Sequence, residues 1–442
     1  MSLNRGPQIT AGEVARAPLT FFEELWDAIG KTFLSPTEAG VQESINKIKF
    51  IIGIVIVIAV IGIVIGYAYQ KGTEQPLPAT QNVALMMSKR LSEMRQEKEL
   101  LGTKSLYGGI IPTIPENQRY LINFIPLTAR LGGYIGGNVF NSGEYIQRAL
   151  RAGIRSFILP ISVYMDDNKR PPNWPLSGKP AIVSRDIDGK ITSVNALTVS
   201  KFCTELMTFK AQNPAQAEEP YIVYLEEDER YTPDHTKQEK EYVQLMSELA
   251  KELNSISGSR IINLGIYGSG TAGGTNGAKI LLETRMEDLR GKVILMSNFD
   301  TKIQLKDAYK NITPRLHEYI NIAYKPNMIE RIEIGQAYTK GYEDKTRIVW
   351  NVASKDNEMN IPKIEDVRKA IEVGIQGIPV PYFSMSNKLT EEIHKEWNGY
   401  SMRVKAEGLR YMKPTPVVPK MPKETLNARV EGAKQPGQII IR

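Results

Sequence analysis

The sequence predicts an α/β protein, a (β/α)8 TIM-like barrel preceded by a single transmembrane helix, and three observations carry that expectation. Residues 50–69 form an uncharged run of bilayer length. From about Gln118 onward, apolar strand-type runs alternate with amphipathic helical patterns. The composition, 42% hydrophobic and 24% charged, is that of a globular chain rather than a disordered one.

Taken in order, residues 1–47 form an N-terminal segment whose "PLTFFEELWDAIGKTFLSP" sets Phe22, Leu25, Trp26, Ile29 and Phe33 on one helical face. Thr20 and Glu23 make a capping-box pattern at its start. The polar face is acidic, with Glu23, Glu24 and Asp27, so the helix either lies in a membrane interface or docks on a protein partner. Residues 48–70 hold the expected transmembrane helix, "FIIGIVIVIAVIGIVIGYAY", too late and too long for a cleaved signal peptide. Lys31, Lys47 and Lys49 on one side face Lys71, Lys89 and Arg90 on the other, so charge does not orient it. A membrane localisation follows; the side of the following domain stays open, with the cytosol preferred only because a chain without disulfides fits a reducing compartment. Gly62 and Gly66 form a GxxxG through which two such helices can pair into a homodimer. In the linker, residues 71–105, Val83, Met87, Leu91, Met94 and Leu101 make a stripe, read as a short coiled coil or a helix docked on the next domain.

Residues 106–412 carry the alternation. Its strand-type runs are "RYLINFIP", "SFILPISVYM", "PAIVS", "PYIVYLE", "RIINLGIY", "KVILMS", "RIVWNVA" and "GIPVPYFSM". Between several of them lie "NSGEYIQRALRAG", "VNALTVSKFCTELMTF", "KEYVQLMSELAKELNSI" and "IEDVRKAIEVG". Such a pattern implies a parallel sheet covered on both faces, closed as a barrel or, as the runner-up, doubly wound. Ser184, Arg185, Asp186 and Glu226 then stand at strand ends, on the barrel's active face. Residues 413–442 are a Pro/Lys-rich tail suited to an extended strap for a partner.

Some chemistries are excluded by what is missing. One cysteine, Cys203, allows no intrachain disulfide, and with three scattered histidines it makes no zinc site. "YGSGTAGGTNGAK" fails the spacing of a P-loop. A net charge of +7, from 56 Lys+Arg against 49 Asp+Glu, suits a mixed solvated surface or an anionic membrane; no nucleic-acid partner is expected.

Six segments, in order over residues 118–412, resemble the catalytic domain of phosphoinositide-specific phospholipase C, a TIM-barrel phosphodiesterase family. They are "NSGEYIQRALRAGIRSFIL", "GKPAIVSRDIDGKITSVNALTVSKF", "EEPYIVYLEEDERY", "LRGKVILMSN", "AIEVGIQGIPVPYFSM" and "KEWNGYSMRVKAEGLR". The resemblance implies two catalytic histidines and a Ca²⁺ ion held by carboxylates and an Asn. The first histidine and the Asn ligand fall near Thr128 and Ala129, and the second histidine falls on Ser184. Two further ligands fall on Ile158 and Pro160, and the phosphate-contacting lysine near Met296. Glu226 alone keeps the family's residue type.

The implied catalytic positions are therefore Glu226, Ser184 and Thr128, two of them substituted. Arg185, Arg290 and Lys292 are expected to bind substrate. The expectation is a single-pass membrane protein with a catalytically degenerate phospholipase C-like barrel, binding membrane lipid and needing no cofactor. The alternative is an active phosphoric diester hydrolase on phospholipid headgroups, with Glu226, Asp186, Asp188 and Asp228 as a non-standard Ca²⁺ site.

Overall fold

The computed structural model describes residues 78–97, 104–163, 178–186, 188–214, 217–257, 281–323, 329–332, 342–353 and 361–413. They belong to the second of two units into which the chain divides, Pro76–Arg442. The strands are β1 (Phe124–Pro126), β2 (Thr128–Arg130), β3 (Ser156–Val163), β4 (Pro180–Ala181) and β5 (Tyr221–Glu227). They continue with β6 (Val293–Ser297), β7 (Ile322–Ala323), β8 (Ile329–Ile332), β9 (Trp350–Ala353) and β10 (Met402–Val404).

Parallel ladders run β2-β3-β5-β6-β7, with β4 hooked antiparallel onto the end of β3. A second parallel pair, β8-β9, continues through the bridge Val352↔Gly377, and Val380 then bridges Ala129 of β2. The Arg130 N–H donates to the Val380 carbonyl at 3.0 Å. The neighbours thus curl back on themselves, while no ladder joins β7 to β8 among the described residues. The expected eight-stranded closure is corrected to an α/β barrel-like fold. Four strands that the pattern did not show, β2, β7, β8 and β10, are two to four residues long, too short to make apolar runs.

Pleating sorts the side chains. Ile158, Ile222, Tyr224, Ile294, Met296, Ile322, Trp350 and Val352 form one cluster, the barrel interior. Their alternates, including Phe157, Leu159, Val223, Leu225, Val293 and Leu295, pack outward in another. Strands buried on both faces read as unbroken apolar runs, which is why β3, β5 and β6 stand out in the sequence.

The outer layer includes α1 (Pro78–Gln96), α2 (Ser142–Arg151), α3 (Val199–Gln212), α4 (Glu239–Glu252), α5 (Ile364–Glu372) and α6 (Asn387–Glu396). Asn141, Thr198 and Ser386 cap α2, α3 and α6 by accepting backbone N–H groups of the first turn. Cys203 is buried in α3, and burial pushes its thiol well up.

Of the two readings of the linker stripe, docking describes α1. Met94 is fully buried, and Met86, Met87 and Leu91 pack on the core. Arg90 pins the helix, donating from Nε to the Ile135 carbonyl at 2.6 Å and from a terminal nitrogen to the Phe383 carbonyl at 3.4 Å. Gly136 makes this approach feasible. Its φ is +86°, and a Cβ there would lie 2.5 Å from the Phe383 oxygen.

No helix among the described residues is long and apolar enough to cross a membrane. The longest, α1, carries Lys89, Arg90, Glu93 and Arg95. The expected transmembrane helix, the single-pass arrangement and the membrane localisation are corrected to this: no described helix spans a membrane. Residues 50–69, with Gly62 and Gly66, lie outside the described residues, as do the N-terminal amphipathic pattern, the glycine-rich run and the tail beyond Lys413.

At the strands' N-terminal end, β1 pairs antiparallel with β10 and floors the interior with Phe124 and Met402. Beside them Arg155, 2% exposed, pairs through Nε with Glu219 at 2.8 Å. Glu219 also accepts from Ser401 Oγ at 2.6 Å and from the Leu106 N–H at 3.1 Å. Removing one partner of a buried pair strands the other charge. Glu219→Ala is therefore expected to lower stability by about 3–5 kcal/mol. Glu219→Gln, whose carbonyl still accepts, should cost less, and urea unfolding of both variants checks the order.

Candidate functional site

The strand C-terminal ends gather the buried charges that the fold has to accommodate. Alternation along β5 puts Ile222, Tyr224 and Glu226 on the inner face. The Glu226 carboxylate meets two guanidinium groups there. Arg130 of β2 lies 2.8 Å from Oε2, and Arg331 of β8 lies 3.0 Å from Oε1. Arg331 also donates to the Glu227 carbonyl at 3.1 Å. The side chains of Arg130 and Glu226 are 11% and 7% exposed, whereas that of Arg331 is 40% exposed. The cluster is therefore a carboxylate held between two arginines, one deep and one open to solvent. The Arg130 Nε is buried there without a hydrogen-bond partner among protein groups, and the Tyr224 hydroxyl meets Arg331.

Glu227 faces the other way. Its carboxylate accepts from the Tyr242 hydroxyl at 2.9 Å and from Thr232 Oγ1 at 3.2 Å. Tyr242 in turn accepts the Asp300 N–H at 2.9 Å. Burial is the main cause that pushes the Glu227 carboxyl up, to about 7; the hydrogen bonds and the Arg331 charge oppose it, and Glu229 adds to it.

The remaining expected site residues do not converge on Glu226. Ser184 is fully buried; its N–H donates to Ser193 Oγ at 3.2 Å and its Oγ accepts from Thr192 at 3.1 Å. Arg185 stacks on the Tyr231 ring at 3.5 Å and donates to the Gly189 carbonyl at 3.0 Å. Asp186 closes the following turn, accepting from the N–H groups of Asp188 at 3.1 Å and Lys190 at 2.8 Å. Asp188 is exposed at that turn. Asp228 pairs with Arg230 at 3.1 Å. Thr128 donates to the Pro126 carbonyl at 3.1 Å.

Arg290 and Lys292 precede β6 and so sit at the opposite, N-terminal end of the strands. There Arg290 pairs with Glu218 at 3.3 Å and covers Tyr107. Among the described residues no group of three or more His, Cys, Asp or Glu can hold a metal ion. A Ca²⁺ ion does not fit the set Glu226, Asp186, Asp188 and Asp228. Arginines flank the first, and local turns or Arg230 engage two of the others.

No protein-family model matches the chain, and no curated protein matches it. Solved structures are similar in fold at low identity. PLC21 from S. officinalis is 12% identical, with 68% of this chain and 39% of that chain covered and a TM-score of 0.41. A calcium-dependent phosphoinositol-specific phospholipase C from Pseudomonas sp is 12% identical, with 65% and 96% covered and a TM-score of 0.38. The Ca²⁺-dependent phosphatidylinositol-specific enzyme from Streptomyces antibioticus is 11% identical, with 62% and 97% covered and a TM-score of 0.35. The match spans about two fifths of the length of the first of these proteins. At such scores the chemistry has to come from this chain's own residues.

Sequence reasoning missed Arg130 and Arg331. Arg130 stands two residues after Thr128, so alternation on β2 was the available signal. Arg331 lies in "IERI", too short and too charged to read as a strand.

The Glu227 carboxyl gives a pH signature. Its folded-state value, raised from 4.5 to about 7, adds stability that is full below 4.5 and is lost as pH rises through 7. Between pH 5 and 8 the protein should lose roughly 3 kcal/mol that Glu227→Gln does not lose. Denaturant unfolding of both at the two pH values measures the difference.

Proposed function

We propose that the barrel mouth binds the phosphoryl group of an anionic phosphoester. The observation that supports this reading is the cluster Arg130–Glu226–Arg331, in which two guanidinium groups face one carboxylate at the strand C-terminal ends. Parallel barrels keep their ligand chemistry at that end. A planar guanidinium matches phosphate oxygens with paired N–H donors, and its charge counts for more where water is scarce. In this reading Glu226 is the internal counter-ion that holds both arginines in place. Arg331, the accessible one, makes first contact with the ligand, and Arg130 supplies charge from behind.

A second reading is hydrolysis of a phosphodiester in the same mouth. It is favoured by the same two guanidinium groups, whose charge can stabilise the negative charge that develops on a phosphoryl group during transfer. No step in it is assigned to a metal.

Calorimetric titration of the full chain with inorganic phosphate tests the first reading, with neutral myo-inositol as the control. Arg331→Gln is expected to weaken phosphate binding at least about 10-fold, as expected for loss of a charge-assisted hydrogen bond. Equal affinity in variant and parent would overturn it. Release of inositol phosphate from glycerophosphoinositol, lost in Arg331→Gln, would establish turnover.

A further inference from the structure

Glu226 meets its two arginines with one oxygen each, Oε2 at 2.8 Å from Arg130 and Oε1 at 3.0 Å from Arg331. Two oxygens on one centre, each facing a guanidinium, is also how a phosphoryl group would lie between the same pair. The carboxylate therefore stands where an incoming anion would make its strongest contacts. A second negative charge beside it meets repulsion, and that repulsion grows where water is scarce.

The two arginines depend on Glu226 unequally. Arg331 has neutral anchors besides it, the Glu227 carbonyl at 3.1 Å and the Tyr224 hydroxyl. Its side chain is also 40% exposed, so its pair with Glu226 is the one that water and solutes reach. Arg130 is 11% exposed, and its pair with Glu226 is shielded. Its buried Nε has no hydrogen-bond partner among protein groups, so Glu226 leaves part of this guanidinium unsatisfied. The Glu226–Arg331 half of the bridge is thus the half that can open while both arginines stay in place.

We propose that Glu226 is an internal competitor for the anion site: its carboxylate closes the mouth of the free protein by bridging Arg130 and Arg331, and it gives up Arg331 when a phosphoryl group binds. This rests on the phosphoryl-binding reading of the mouth and adds a threshold to it. An anion enters only if it holds Arg331 better than Glu226 does. The carboxylate that steadies the empty site is the same group that weakens binding to it.

The test is calorimetric titration of the full chain and of its Glu226 variants with inorganic phosphate, at one pH and ionic strength. Glu226→Gln keeps the size of the side chain and an accepting oxygen but removes the charge. It should bind phosphate at least about 10-fold more tightly than the parent. Without ligand it should melt at a lower temperature, because Arg130 loses its charged partner, and phosphate should raise that temperature more than it does in the parent. Glu226→Asp keeps the charge but shortens its reach, so one carboxylate no longer bridges both arginines. It too should bind more tightly, and it tests the contact even where the amide variant does not fold. Adding Arg331→Gln to either variant should cancel the gain. Binding by the Glu226 variants alone, with none by the parent, would support the competitor role. Unchanged or weaker binding in both variants, with the parent binding phosphate, would overturn that role and leave the phosphoryl site standing. Absence of phosphate binding in the parent and in both variants would overturn the two together.

Discussion

Glu226 is only 5% exposed on the inner face of the barrel, and this constraint organises the strands around it. A carboxylate taken out of water needs cations close at hand, or it does not stay ionised. Arg130 comes from β2, at one end of the five-strand run, and Arg331 comes from β8, beyond the unpaired position next to β7. Backbone ladders do not cross that position among the described residues, but the Glu226–Arg331 pair does. Arg331 strengthens the crossing by donating to the Glu227 carbonyl. One carboxylate thus joins three strands, no two of which share a ladder.

The pleat then separates two neighbours that look alike in sequence. Glu226 and Glu227 are adjacent, yet one faces the interior between arginines and the other faces α4 through Tyr242. The first has its charge compensated. The second keeps a proton up to near-neutral pH, because burial outweighs the hydroxyls that bond it.

Much of this architecture was legible in the sequence. The runs at β3, β5, β6 and β9 are apolar because both of their faces are covered, and the helices carry their caps and stripes openly. Glu226 was legible as a strand-end acid. Its partners were not, because an arginine's direction depends on the register of a strand only three or four residues long, as in β2 and β8. Arg290 and Lys292 misled for a related reason. Proximity in sequence to a site-bearing strand does not say at which end of that strand a residue stands. Ser184 and Arg185 read as reactive because polar side chains at the end of an apolar run fit a site, whereas they knit a local turn with Thr192, Gly189 and Tyr231. The uncharged run at residues 50–69 fits the length rule for a bilayer, but no described helix has that character.

The pairing of the first strands with the last has a consequence for how the chain is made. Ala129 finds its outer neighbour in Val380, β1 pairs with β10, and Lys104 bridges Tyr400. As the chain leaves the ribosome, β1 and the outer edge of β2 have nothing to pair with until almost the whole domain has been synthesised. Contacts of such long sequence separation are slow to form, and an apolar strand waiting with a bare edge invites pairing with another chain. The nascent protein therefore depends on keeping that edge shielded, and a chain truncated before residue 402 would leave it exposed for good.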